Sequence, residues 1–100
     1  MQVFAINLAS ATDRLAYISG QIGGPFERIE AVRGDAVPER LAANFSGSVS
    51  LLPGEIGCYA SHLIAAENIV TRGLPYAIVL EDDAILASDF HEVVETCVKH

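Results

Sequence analysis

Three consecutive carboxylates, Glu81, Asp82 and Asp83, follow directly on the apolar run YAIVL at residues 76–80. In an extended chain successive side chains alternate, so Glu81 and Asp83 are expected on one side and Asp82 on the other. Adjacent anions raise one another's cost of ionisation unless a cation or hydrogen-bond donors compensate. Carboxylate oxygens suit a hard divalent ion such as magnesium or manganese. The plainer alternative is an acidic turn solvated by water, which needs no ion.

A second group is Glu55, Cys58, Ser61 and His62. Glu55, Cys58 and His62 are three and four positions apart, which places them near one face if the segment is helical. A thiol, an imidazole and an acid suggest nucleophilic or zinc chemistry, but Cys58 and His62 lack the remaining ligands of a structural zinc site, and His91 is isolated from them in sequence. Cys58 is therefore expected to be a packed thiol. His62 is either a structural hydrogen-bonding group or a substrate contact. Asn7 interrupts an apolar strand near its carboxyl end, where ligand crevices of open parallel sheets form. It is either a nucleotide contact or an amide satisfying neighbouring backbone. Arg14 either pairs locally with Asp13 or offers a guanidinium to a diphosphate.

These residues need elements to position them. Residues 3–8 are apolar apart from Asn7 and read as a buried first strand. Ser10 and Asp13 mark a helix start, Leu15, Ile18 and Ile22 continue it, and Gly23, Gly24 and Pro25 end it. FERIEAV at 26–32 reads as a second strand. Residues 33–53 are loop-like, with a helical turn or two at ERLAAN, and a connection of this length invites a functional role. Pro53 and Glu55 open a helix running to Gly73, with an expected buried stripe of Ile56, Ala60, Leu63, Ala66 and Val70. Residues 76–80 are a third, central strand. Ser88 caps a last amphipathic helix carrying Phe90, Val93, Val94, Cys97 and Val98. The fold class is α/β, with helices covering a largely parallel sheet.

Composition bounds the function. One hundred residues make a single domain, 1–100, and 51% hydrophobic content is enough for a core. Six basic against 13 acidic residues give a net charge of -7, which excludes nucleic acid as a partner. Residues 1–50 carry five acids and four bases and residues 51–100 carry eight and two, so the deficit lies in the second half. Two cysteines 39 positions apart make no disulfide scaffold, which points to a reducing compartment. No segment has the length of a signal core or membrane span. A phosphoacceptor regulatory domain is disfavoured because Lys99 is the sole lysine and no further acidic strand end accompanies 81–83.

Four segments together resemble a known family, the glycosyltransferases of bacterial lipooligosaccharide and lipopolysaccharide synthesis called family 25: VFAINLASATDR, PFERIEAV, LLPGEIGCYASH and LPYAIVLEDDA. They cover most of residues 3–84, and the PGEIGC…SH and LEDD segments in this order are specific as a pair. The resemblance implies a nucleotide-diphospho-sugar transferase-like (GT-A-like) fold, of which this chain is the N-terminal, donor-binding portion. It implies transfer of a hexose, typically galactose, from a UDP-sugar to a glycan or glycolipid acceptor, with manganese or magnesium at the diphosphate. Asp83 and then Glu81 are implied as metal ligands, with Asp82, Asn7 and Arg14 on the nucleotide. Glu55, Ser61 and His62 are support or substrate contacts, and no catalytic base is assigned.

The resemblance also implies a cytoplasmic location at the inner face of the bacterial inner membrane, with peripheral association and no transmembrane segment. Two departures are Ala9, where the family often has a polar residue, and Leu52, where a Thr cap is common; the second costs about 1 kcal/mol. The alternative is a non-catalytic nucleotide-sugar-binding or interaction fragment. If the last helix packs on sequence outside this chain, its apolar face is expected to drive self-association.

Overall fold

The computed structural model describes residues 1–45 and 52–99, so the part of the expected loop that falls at 46–51 lies outside the described residues. The elements run β1 (Val3–Asn7), α1 (Thr12–Ile22), β2 (Glu27–Glu30), α2 (Glu39–Ala42), a 3-10 turn (Ala43–Phe45), α3 (Pro53–Thr71), β3 (Ile78–Glu81) and α4 (Phe90–Lys99). The three strands form one parallel sheet in the order β2-β1-β3. This is the expected mostly parallel sheet flanked by helices, consistent with a nucleotide-sugar transferase-like fold. No described helix is long and apolar enough to cross a membrane.

β1 is buried at all five positions because it is central and covered on both faces. Val3 and Ala5 face Ile18 and Ile22 of α1, joined by Leu15, Phe26, Ile78, Leu80 and Leu86. Phe4 and Ile6 face the other way, onto Ile29 and Ala65, with Ile64, Ile69 and Val79 around them. The period of two thus assigns each strand residue to the α1 face or the α3 face.

Several boundaries move. Ser10 does not cap α1: Ala11 holds that position without a side-chain bond, while Gly23 ends the helix in the left-handed region (φ 63°). Leu52 precedes Pro53 at the start of α3 and likewise makes no side-chain cap. Ser88 is not the cap of α4, because the Val93 N–H bonds the Asp89 carbonyl and so puts Asp89 there. β3 lies at the edge of the described sheet rather than at its centre, which β1 takes; it starts at Ile78, two residues later than expected, and includes Glu81, which pairs in register with Ile6.

The buried face of α3 keeps Ala60 from the expected stripe and differs elsewhere. Gly57, Ala60, Ser61 and Ala65 point inward, while Ala66 is exposed and Val70 is 80% exposed. Small residues four apart let α3 approach the sheet closely, whereas the sequence stripe followed apolar side chains, some of which lie outside. A Cβ on Gly57 would stand 2.5 Å from the Val32 carbonyl oxygen, and one on Gly34 would stand 1.8 Å from the carbonyl oxygen of Pro53. The chain after β2 is thus pressed against the first turns of α3.

α4 buries none of its residues: Val93 and Val98 stay exposed, and a ring nitrogen of His91 lies 2.8 Å from the Ile22 carbonyl oxygen.

Candidate functional site

β1 occupies the middle of the sheet, and the chain passes from it to β2 at one edge and then across to β3 at the other, so the crevice opens at the carboxyl ends of β1 and β3. A cavity of about 330 Å³ lies there, bordered by Asn7, Arg14, Ser61, Glu81, Asp82 and Asp83. The residues of the acidic triplet, Asn7 and Arg14 are therefore brought to one place by the parallel topology.

The triplet does not behave as three equivalent acids. Glu81 ends β3 on the α3 face, and the chain then turns, with the Ala84 N–H bonding the Glu81 carbonyl at 3.1 Å. Asp82 goes to the α1 face. It is 9% exposed, accepts a 2.8 Å hydrogen bond from Asn7 Nδ2, and lies 3.6 Å from Arg14 Nη1. A buried carboxylate needs such partners, because desolvation otherwise penalises its charge. Asp83 stays exposed at the cavity edge.

Asn7 is 1% exposed and gives its second amide hydrogen to the Ala11 carbonyl at 3.1 Å. It joins β1, the start of α1 and the end of β3. Among the described residues its Oδ1 is buried without a hydrogen-bond partner. Arg14 does not make the local pair with Asp13: among the described residues its ion pair is with Asp82, and its side chain is 65% exposed.

On the other face, α3 carries Cys58 and His62 up to Glu81. Cys58 Sγ donates to Glu81 Oε1 at 2.8 Å, and His62 Nε2 lies 3.6 Å from the same oxygen. The expected packed thiol is corrected: Cys58 is exposed, because the end of β3 delivers a carboxylate to the helix surface instead of an apolar neighbour. That carboxylate accepts the S–H bond, and with partial burial and the negative charges of Glu81 and Asp83 it pushes the thiol up to about 11. Alkylation of Cys58 by iodoacetamide is therefore expected to rise through an inflection at a pH of about 11, and Glu81→Gln to move it down. An unchanged inflection in that variant would exclude the Glu81 contact.

Ser61 is buried at the cavity wall. Its hydroxyl accepts the Val32 N–H at 2.8 Å and donates to the Gly57 carbonyl at 2.7 Å, tying α3 to the segment after β2. Glu55 does share a surface with Cys58 and His62: the three border an apolar groove of about 660 Å³ with Gly54, Tyr59 and Leu63. Tyr59 meets Phe45 edge to face at 5.8 Å.

Two residues at the site escaped the sequence reading. Arg28 Nη1 donates to the Asn7 carbonyl at 2.6 Å and also pairs with Glu30, whose carboxyl this bond holds below its ordinary range. Glu30 in turn accepts the Ala9 N–H at 3.3 Å. The available signal was the charged alternation of ERIE, which puts Arg28 and Glu30 on the opposite strand face from Ile29.

Comparison with known proteins adds a finding to this geometry. The family described as glycosyltransferase family 25 (LPS biosynthesis protein) matches residues 1–100. The lacto-N-neotetraose biosynthesis glycosyltransferase LgtE of Neisseria gonorrhoeae is 34% identical over 98 residues, covering 86% of this chain and 33% of that protein. LgtB of the same organism is also 34% identical, over 93 residues, with the same coverage of each chain. The human inactive glycosyltransferase 25 family member 3 is 33% identical over 116 residues, covering 94% of this chain and 18% of that protein. The chain thus spans about a third of the length of the bacterial relatives it matches.

Proposed function

Because this chain belongs to glycosyltransferase family 25, the LPS biosynthesis proteins, we propose that it forms the donor-binding part of a hexosyltransferase. The reaction is transfer of a sugar, galactose in our reading, from its UDP carrier to a glycan or glycolipid acceptor. The observation that carries the proposal is the convergence of Glu81, Asp82, Asp83, Asn7 and Arg14 on one cavity at the carboxyl ends of β1 and β3.

The residues fit a hard divalent ion such as manganese or magnesium. Glu81 and Asp83 offer exposed carboxylate oxygens on a shared cavity, the donor type such ions prefer. When bound, the ion neutralises charge that develops on the departing nucleotide diphosphate. The rest falls to the protein. Asp82 is fixed by the Asn7 amide and can hold ribose hydroxyls without drifting. Arg14 is exposed enough to leave Asp82 and meet a phosphate. Ser61 and the close contact at Gly57 hold α3 in register with the crevice.

The test is manganese-dependent UDP binding by this chain, with UDP-galactose turnover measured on a longer parent chain. Binding by both and turnover by the parent are expected. A folded chain that binds no UDP with manganese would sink the assignment. A second reading, a nucleotide-sugar-binding fragment without catalysis, is favoured by the similarity to the inactive human protein. Binding without turnover in the parent would select it.

A further inference from the structure

The hard-ion reading uses Glu81 and Asp83 and leaves Cys58 and His62 without a role. Yet Cys58 Sγ, His62 Nε2 and a Glu81 carboxylate oxygen all lie within 4.8 Å of one another, and all three side chains are exposed. Two come from one turn of α3 and the third from the end of β3, so the fold itself assembles the trio.

We infer that Cys58, His62 and Glu81 form a site for a soft or borderline divalent ion of the zinc class, with a fourth position open to water or ligand. Zinc–ligand bonds of roughly 2.0–2.3 Å in a tetrahedron put neighbouring ligand atoms about 3.3–3.8 Å apart. The separations here are 3.6 Å for His62 Nε2 to Glu81 Oε1 and 2.8 Å for Cys58 Sγ to the same oxygen. The second opens by a small rotation of exposed side chains once the S–H bond is gone.

The donor set decides which ion enters. Thiolate and imidazole favour zinc over manganese or magnesium, which prefer oxygen. On binding, the S–H bond breaks, a metal–sulfur bond forms and one proton passes to solvent, because a coordinated thiol loses its proton. All three ligand side chains are exposed, so the ion reaches them directly from water. Zinc held by Glu81 draws that carboxylate's charge away from the hard ion and sets a second dication beside it, so zinc at this site displaces the hard ion, a consequence that rests on the donor-site proposal above.

Cobalt(II) is the probe, titrated into the reduced chain. A saturable thiolate-to-cobalt charge-transfer band is expected, displaced by zinc, lost in Cys58→Ser and retained in Cys97→Ser. His62→Ala is expected to weaken binding by at least about tenfold. A band that survives Cys58→Ser, or no band in wild-type chain with native circular dichroism, overturns the site. In a second arm, equimolar zinc is expected to abolish manganese-dependent UDP binding by the wild type and to spare it in Cys58→Ser. If zinc leaves that binding intact in the wild type, the competition is overturned. If manganese supports no UDP binding at all, the donor proposal fails and the cobalt band still decides the zinc site.

Discussion

Replacing Glu81 by Gln, or Asp83 by Asn, is expected to weaken manganese-dependent UDP binding by at least about a hundredfold. That is the upper end of what losing a mere hydrogen-bond partner of a metal ligand costs, and a ligand costs no less. Both changes keep side-chain shape and remove one negative charge from an exposed position, so thermal unfolding is expected to move little. Glu67→Gln is the matched control. It removes a carboxylate that pairs with Arg40 on the outer surface of α3 and is expected to leave UDP affinity unchanged. Isothermal titration of UDP with and without manganese reads all three. Wild-type affinity in both Glu81→Gln and Asp83→Asn would remove the carboxylate pair from the donor site.

Gly34→Ala is expected to lower the thermal midpoint by about 10 °C. The added methyl would meet not a movable side chain but three backbone atoms of Pro53, at 1.8, 2.4 and 2.6 Å. Overpacking of this kind costs roughly 1–3 kcal/mol, and each kcal/mol is worth about 4–8 °C in a domain of this size. Relief requires the segment after β2 to part from the start of α3, which also carries Cys58 and His62 away from their partners on β3. Circular dichroism melts give the first effect. A melt identical to wild type would mean that the two segments do not touch as described.

The elements were readable because their physics is local. A short apolar run ending at Asn7 reads as a strand buried on both faces, and Gly23 can take a left-handed φ that ends α1. The acidic triplet was equally visible. Its internal division was only half so: alternation separates Glu81 from Asp82, but nothing near residue 82 announces that Asn7, 75 positions earlier, donates to it. The face of α3 was misread for a related reason. Hydrophobicity marks Ile56, Leu63 and Val70, while the inward face was chosen by the closeness of the Val32 backbone, a fact about distance that Gly57 and Ser61 satisfy. Cys58 and His62 were noticed as neighbours on a helix, and their third companion arrives through the register of β3 with β1.

The clasp of Asn7 and Arg14 on Asp82 has an arithmetical consequence. Of three successive negative charges, one is already matched by a guanidinium and an amide of the protein. What remains at the crevice is two, on Glu81 and Asp83, which is the valence of a single divalent cation. If the proposed cation binds there, the crevice would be locally neutral before any diphosphate arrives, and drawing that anion inward would fall to Arg14, whose departure would uncover the third charge. On the proposed donor site, binding the nucleotide and releasing Asp82 would be two sides of one electrostatic exchange.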